Sequence, residues 1–217
     1  ESGKEVDFYD SSKIQNSIIC YPIDFVENSL RSKGLKSAGP HPDSIIFLTC
    51  DAYGIMPPLA RMTKKQAMYH FISGYTAKMA GTEMGVTEPV AAFSPCYGGP
   101  FLTLHPLKYA ELLEKKLNKH NSSVFLVNTG WSGSSSTSGS SRIDLNLTKH
   151  IISLITEGRL NFNQSIHDKF FNLEIPIKIE GLDDNFLVPH LSWSNLEEYY
   201  STGTVSYTHL RAHETYV

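Results

Sequence analysis

Two short, uninterrupted apolar runs constrain the fold of this chain more than any other feature. Residues 45–48 read Ile-Ile-Phe-Leu, and residues 124–127 read Val-Phe-Leu-Val. A run of this kind between turn residues is typical of a strand that is buried on both faces, as in a sheet covered by helices. A further strand is predicted over 175–179.

Three segments with helical spacing accompany these strands. The first is predicted over 63–80, because Thr63 and Gln66 form a capping box and Gly81 offers a stop. The second begins at Pro106, and the third covers 147–157, before Gly158. Strands that alternate with helices predict an α/β architecture.

Charge, cysteine content and hydropathy exclude several classes of protein. The net charge of −3 argues against general nucleic-acid binding, which leaves a basic footprint. The three cysteines Cys20, Cys50 and Cys96 lie far apart, which fits neither a disulfide framework nor a zinc site and indicates a reducing compartment. No apolar run approaches the roughly 20 residues of a membrane-spanning helix. We therefore expect a cytoplasmic protein without a membrane partner.

The two ends of the chain look unlike those of a natural protein. The polar start at Glu1 carries no signal peptide and no initiator Met, so we expect the true N-terminus to lie upstream. Residues 205–217 have no apolar period and resemble the translation of a sequencing adapter. We interpret them as an artefact and residues 1–204 as protein.

The segment from Asp51 to Arg61 is the first candidate site. It leaves the carboxyl end of a buried strand, the edge at which open α/β sheets bind ligands. Arg61 has a fork of donors suited to a phosphate or carboxylate. The alternative is an arginine in solvent or in a surface ion pair, and the pattern alone leaves both open.

The small residues 132–141, followed by Arg142 and Ile143, form the second candidate site. Small residues let a backbone approach a ligand, and Arg142 could stack on a flat ring or bind phosphate. The alternative is a mobile, Ser-rich surface loop.

Other groups carry weaker signals. Glu83 and Glu88 could form an acid/base pair or could simply face solvent, and Cys96 could be a nucleophile or a buried apolar residue. The chain has no phosphate loop of the form GxxxxGK[ST], no HExxH and no GxSxG. Motifs alone describe an unassigned α/β domain.

Longer strings carry more information than these motifs. They read FLTCDAYGIMPPLAR at 47–61, YHFISGYTAKMAGTEMGVTEPVAAFSPCYGG at 69–99, FLTLHPLKYAELL at 101–113 and VNTGW at 127–131. Together with Asn16 and Tyr21-Pro22-Ile23, they resemble the ATP-dependent phosphoenolpyruvate carboxykinase family. The resemblance covers residues 5–200.

The resemblance implies a fold and a reaction. The fold is the C-terminal mononucleotide-binding domain of that family, a mixed sheet with flanking helices. The reaction, a carboxy-lyase step of gluconeogenesis, converts oxaloacetate and ATP to phosphoenolpyruvate, carbon dioxide and ADP, with Mg²⁺ on the nucleotide and a second Mn²⁺ or Mg²⁺. The expected partners are these small molecules, with no nucleic acid and no membrane.

The resemblance also implies roles for four residues. Arg61 falls on the family arginine that bridges substrate and γ-phosphate. Arg142 and Ile143 fall on the Arg-Ile pair that packs along adenine, and Thr148 falls on a nucleotide-binding threonine. The chain departs from the family pattern at three places: the Ser/Gly stretch is longer, Ser141 replaces a lysine, and Ile18 replaces a common arginine.

The family's phosphate loop, its metal-binding Lys, His and Asp, and its oxaloacetate-binding Arg and Tyr have no counterpart in the chain. We expect these groups upstream of Glu1, and we expect the chain alone to be inactive. Two alternatives remain. The chain could be a stand-alone, non-catalytic nucleotide-binding module, or it could be a structural or interaction domain. The Ser-rich loop is the one feature that favours the interaction domain.

Overall fold

The computed structural model describes residues 39–78, 86–138 and 142–212. They form seven strands, six α-helices and three short 3₁₀ turns. The strands are β1 (Ser44–Thr49), β2 (Leu59–Met62), β3 (Tyr75–Lys78), β4 (Val90–Phe93), β5 (Ser123–Asn128), β6 (Ser165–His167) and β7 (Glu174–Pro176). The helices are α1 (Lys64–Ser73), α2 (Pro106–His120), α3 (Leu145–Thr156), α4 (Asp184–Leu187), α5 (Pro189–Ser192) and α6 (Leu196–Ala212).

A mixed five-stranded sheet organises the described residues. Its order is β1-β5-β2-β7-β6, and β3 pairs separately with β4. Strands β1 and β5 are parallel, whereas the other pairs of the main sheet are antiparallel. This arrangement of a mixed sheet with flanking helices confirms the predicted α/β fold class.

Residues 124–127 of strand β5 are all apolar because helices cover both faces of the strand. Val124 and Leu126 pack with Leu117 of α2 and Ala67 of α1 in one buried cluster. The alternate residues Phe125 and Val127 face the other way, into a cluster that α3 supplies with Ile151, Leu154 and Ile155. Because successive side chains of a strand point to opposite faces, β5 contributes to a hydrophobic core on each side of the sheet.

Strand β1 differs from its prediction. It forms where expected, but it lies at the edge of the sheet, with β5 as its one neighbour among the described residues. Ile45 and Ile46 are half-buried, and Leu48 is 51% exposed. The expectation of burial on both faces is therefore wrong for β1, because an apolar run reports composition and not position in a sheet.

Helix α1 is shorter than the predicted 63–80. The capping box forms, since the Thr63 side chain accepts from the Gln66 N–H and the Gln66 side chain accepts from the Thr63 N–H. The helix then ends at Ser73, because Gly74 takes the left-handed conformation (φ 53°) and Tyr75 begins β3. The expected stop, Gly81, lies outside the described residues.

The other elements agree more closely with the sequence. Helix α2 begins at Pro106 as predicted, and α3 begins and ends within two residues of its predicted bounds. The strand predicted at 175–179 is the shorter β7, and β2, β3, β4 and β6 were not predicted. Within the described part of the chain, no helix combines the length and the apolar content that crossing a membrane requires.

Helix α6 includes residues 205–212, the first part of the segment interpreted as adapter-derived. Leu210 packs in the core beside the sheet. The adapter interpretation concerns the origin of these residues and stays a prediction, and residues 213–217 lie outside the described part. So do Asn16, Ile18, Tyr21 to Ile23, Glu83 and Ser141.

Gly74 gives a test of this fold, because a Cβ there would lie 1.7 Å from the Ser94 carbonyl oxygen. We expect Gly74→Ala to lower the free energy of unfolding by about 2–4 kcal/mol, through left-handed strain and displaced backbone. Gly158→Ala is the control: φ is +66° and no atom lies within 4 Å of its Cβ, so strain alone costs about 1 kcal/mol. Urea titration of this chain measures both, and equal losses would contradict the close packing of Gly74.

Candidate functional site

The carboxyl ends of the two parallel strands define the candidate site. Thr49 of β1 pairs with Asn128 of β5 in register, and a loop leaves the sheet directly after each. This is the edge where open α/β sheets place their ligands. The described parts of these loops, 50–58 and 129–138 with 142–144, carry Asp51, Arg142 and Ile143.

The carboxylate of Asp51 holds the first loop together. Its Oδ1 accepts hydrogen bonds from the Tyr53 N–H (3.0 Å) and the Tyr75 hydroxyl (2.9 Å). Its Oδ2 accepts from the N–H groups of Ile55 (2.6 Å) and Met56 (2.8 Å). Complete burial raises the pKa of Asp51, and these four donors oppose that rise because they favour the carboxylate.

Asn128 performs the corresponding task at the end of β5. Its Oδ1 accepts from the backbone N–H groups of Asp51 (3.0 Å) and Gly130 (2.8 Å). Its Nδ2 donates to the carbonyl oxygens of Met56 (3.1 Å) and Trp131 (2.9 Å). This fully buried amide therefore joins the loop after β1 to the loop after β5.

Tyr75 connects this pair of loops to the second sheet. Besides the bond from its hydroxyl to Asp51, its carbonyl oxygen accepts from the Thr49 hydroxyl (2.9 Å). Burial, followed by the nearby Asp51 charge, raises the pKa of Tyr75 well above its usual value. Tyr75 is thus a neutral hydrogen-bond donor at physiological pH and not an acid/base group.

Arg142 and Ile143 lie at the loop after β5, against the site. The Arg142 guanidinium donates from Nε (3.1 Å) and Nη2 (2.9 Å) to the carbonyl oxygen of Thr129. Its Cζ lies 5.9 Å from the centroid of the Trp131 ring. Ile143 is buried, and its N–H donates to the Gly130 carbonyl (2.7 Å). The pair is therefore fixed to the sheet edge.

The Cys50 thiol lies beside Arg142 but lacks the properties of a nucleophile. Burial raises its pKa above the usual value, and the Arg142 charge opposes that rise. The thiol is consequently protonated at neutral pH. Cys96 is half-buried, its Sγ donates to the Pro106 carbonyl (3.6 Å), and burial raises the pKa of its thiol too.

The described part of the Ser-rich loop is packed against the first loop. The Ser136 N–H donates to the Ala52 carbonyl (2.8 Å), and a Cβ on Gly54 would lie 2.1 Å from the Ser134 carbonyl oxygen. A cavity of about 380 Å³ opens beside it, lined in part by Tyr53, Ala91, Ser135 and Thr137. Ser134 and Ser136 therefore contact the first loop, and Ser135 and Thr137 line the cavity beside it.

Arg61 lies apart from these groups. The sequence placed it at the end of a loop, whereas it lies within β2, opposite Phe125 of β5 and Glu174 of β7. Its guanidinium forms an ion pair with Glu174, which is one of the alternatives that the pattern left open. Phe125 and Thr129 are four residues apart, so about 13 Å of strand separates the register position of Arg61 from the Arg142 anchor.

Thr148 is buried on the first turns of α3. Its hydroxyl donates to the Asp144 carbonyl (3.4 Å), and its N–H donates to the same oxygen (3.1 Å). The structure thus brings Arg142 and Ile143 together at the sheet edge, with Thr148 nearby in sequence and Arg61 separate.

Comparisons with known proteins match this chain to one family. A family model described as phosphoenolpyruvate carboxykinase matches residues 1–185. The chain belongs to the phosphoenolpyruvate carboxykinase family. Relatives named phosphoenolpyruvate carboxykinase (ATP) include those of Oceanobacillus iheyensis (47% identical over 199 residues), Saccharomyces cerevisiae (46% over 200) and Bacillus subtilis (44% over 199).

The matches cover the carboxykinase relatives unequally. Each alignment takes in 92% of this chain, but only 37%, 36% and 37% of the three relatives. The chain therefore spans a little over a third of the length of the curated carboxykinases it matches.

The carboxykinase family implies divalent metals, and the described residues do not fit a metal site. Across 39–78, 86–138 and 142–212, no three His, Cys, Asp or Glu side chains form a group that could hold an ion. Glu88 is exposed, and its predicted partner Glu83 lies outside the described residues.

The sequence patterns did not single out four residues that the structure places at the candidate sites, namely Asn128, Trp131, Tyr75 and Glu174. One signal was available. In both parallel strands, a side chain with several hydrogen-bonding atoms follows the apolar run within three residues, namely Asp51 after β1 and Asn128 at the end of β5. The contributions of Tyr75 and Glu174 depend on tertiary contacts and have no local signal.

Asp51→Asn tests the first loop. Whichever oxygen the amide NH₂ replaces, two donors lose their acceptor, so we expect a loss of about 2–4 kcal/mol in the free energy of unfolding. Tyr75→Phe is the matched control, because it removes one donor and leaves three; it should cost about 1–2 kcal/mol. Urea unfolding of both variants measures the difference, and an Asp51→Asn variant as stable as wild type would contradict the carboxylate's role.

Proposed function

We propose that this chain is the nucleotide-binding, C-terminal portion of an ATP-dependent phosphoenolpyruvate carboxykinase. That enzyme converts oxaloacetate and ATP to phosphoenolpyruvate, ADP and carbon dioxide, and we propose a cytoplasmic, gluconeogenic role with no nucleic-acid or membrane partner. The observation that carries the proposal is the anchoring of Arg142 at the carboxyl ends of β1 and β5 in a member of this family.

Arg142 has the properties of an adenine-binding group. Both of its hydrogen bonds to Thr129 lie on one edge of the exposed guanidinium, and the Trp131 ring lies toward one face, which leaves the opposite face for a flat ring. A planar cation of this kind stacks on flat rings. The next residue, Ile143, is held through its N–H bond to the Gly130 carbonyl, and Thr148 is buried on the first turns of α3.

Arg61 has the charge that the phosphoryl end of the nucleotide requires. In the proposed reaction, oxaloacetate loses carbon dioxide and leaves an enolate, whose oxygen forms a bond to the γ-phosphorus while the bond to the β-phosphate oxygen breaks and releases ADP. Negative charge on the transferring group is stabilised by fixed cations. We assign Arg61 to that task, and its register position about 13 Å from the Arg142 anchor separates the two ends of one nucleotide.

The divalent cations of the family would supply further charge neutralisation when bound. Because the described residues contain no group of metal ligands, we assign no step of the reaction to a cation held by this chain. The ligands belong, on this proposal, to the part of the enzyme that relatives have and this chain does not span.

Arg142→Ala tests the nucleotide site in this chain. We expect ATP affinity, measured by isothermal titration calorimetry, to fall about tenfold or more, since about 1.4 kcal/mol of stacking and hydrogen bonding corresponds to that factor. Arg159→Ala removes an exposed arginine that pairs with Glu157 and Glu180 instead, and it should leave ATP affinity within twofold. Equal affinity in wild type and Arg142→Ala would contradict the assignment.

Arg61→Ala tests the phosphoryl site in the full-length enzyme that carries this sequence. Loss of a fixed charge on the transferring group should lower kcat about 100-fold or more. Oxaloacetate-dependent formation of ADP measures it, with Arg159→Ala again as the control. A kcat near that of wild type would refute the role of Arg61.

A further inference from the structure

The contact between Arg61 and Glu174 is the best-formed ion pair of the described residues. Nε and Nη2 of Arg61 each donate to a different oxygen of Glu174, both at 2.8 Å. Such a two-pronged contact fixes the plane of the guanidinium as well as its distance. The pair arises from the sheet itself, because Arg61 of β2 and Glu174 of β7 are register partners.

Two neighbouring side chains, Ser165 and Phe162, hold the two partners of this ion pair in place. The Ser165 hydroxyl of β6 donates to Glu174 Oε1 (2.9 Å), which holds the carboxylate from its other side. The Arg61 Cζ lies 4.4 Å from the centroid of the Phe162 ring, and that ring packs against Phe125 of β5. The guanidinium is therefore fixed at one edge by a carboxylate and at one face by an aromatic ring.

The hydrogen-bond inventory shows which part of Arg61 is left for a ligand. The guanidinium has five N–H groups. Glu174 takes one from Nε and one from Nη2, which leaves both hydrogens of Nη1 and the second hydrogen of Nη2. One hydrogen of Nη1 and the second hydrogen of Nη2 form the end edge of the fork, and the other Nη1 hydrogen points back along the side chain; the Arg61 side chain is 44% exposed. The free edge has the spacing to receive two oxygens of one phosphoryl group.

We infer that Glu174 is the positioning residue of Arg61: it aims the free edge of the guanidinium at the transferring phosphoryl group. This inference rests on the proposed function, in which Arg61 acts on that group. The Arg61 hydrogen bonds lower the pKa of Glu174, so the carboxylate stays ionised at neutral pH. It therefore orients Arg61 while cancelling part of its charge.

The charge of Glu174 and its orientation of Arg61 affect different kinetic constants: the charge affects KM for ATP, and the orientation affects kcat. Without the Glu174 charge, Arg61 attracts ATP at least as strongly, so KM for ATP should not rise. Without the fixed plane, the guanidinium no longer meets the phosphoryl oxygens correctly in the transition state, and a misplacement of about 1 Å costs about 100-fold in rate. A positioning role thus predicts a fall in kcat alone.

The first experiment compares three variants of the full-length enzyme. Glu174→Gln should lower kcat about 10- to 100-fold with KM for ATP within twofold. Glu174→Asp keeps the charge on a shorter side chain and should recover part of that loss. The matched control Glu180→Gln breaks an exposed Arg159–Glu180 contact of 2.5 Å elsewhere and should keep kcat within twofold. A Glu174→Gln enzyme with wild-type kcat, or with a raised KM and unchanged kcat, would overturn the inference.

The second experiment uses this chain alone and does not depend on activity. In ¹⁵N–¹H NMR spectra of the arginine side chains, the Arg61 Nε–H should exchange slowly with water in the wild type and in Glu180→Gln, and rapidly in Glu174→Gln. Rapid exchange in the wild type would overturn the inference. A wild-type full-length enzyme without carboxykinase activity would instead contradict the proposed function, so the two failures are distinguishable.

Discussion

The buried carboxylate of Asp51 is the interaction on which the rest of the site depends. A loop that turns back at the end of a strand leaves backbone N–H groups without partners, and leaving them unpaired in the interior is costly. Asp51 collects three such groups and one hydroxyl on two oxygens. The neighbouring loop then attaches through Asn128, which binds the backbone of both. The position of Arg142 follows, because its anchor is the carbonyl of Thr129, the residue next to Asn128.

The two cationic candidates are fixed by different kinds of acceptor. Arg142 is held by a neutral carbonyl, with one face toward the Trp131 ring, so its charge and its other face remain available to a ring or a phosphate. Arg61 is held by a carboxylate, so its orientation is fixed but its charge is partly cancelled. An adenine site needs a flat surface more than net charge, whereas a phosphoryl site needs donors in a set direction. The different acceptors suit the different tasks proposed for the two side chains.

The sequence predicted the architecture correctly where an apolar run is in fact buried on both faces. Strand β5 is such a case, because its alternate residues face two helical layers. It failed where a tertiary contact decides. Helix α1 ends at Ser73, before Gly74 and not at Gly81, because Gly74 is left-handed and the Ser94 backbone lies where a side chain at 74 would be. Burial of β1 was overestimated, since nothing in Ile-Ile-Phe-Leu records that the strand lies at an edge. Local patterns singled out Arg61 and Arg142, and the resemblance supplied their expected roles; Glu174 was missed because its contact with Arg61 exists only once β7 lies beside β2.

Strand β5 is the element that makes one site out of distant parts of the chain. Its parallel partner β1 brings the Asp51 loop to its carboxyl end, and its antiparallel partner β2 places Arg61 opposite Phe125. A slip of one residue in either pairing would turn Arg61 or Asp51 to the opposite face of the sheet. The two apolar cores on either side of β5 oppose such a slip, because it would turn Phe47 of β1, or Leu59 and Met62 of β2, toward the wrong layer. The same burial that stabilises the sheet therefore sets the separation of the two arginines, and with it the length of ligand that can reach from one to the other.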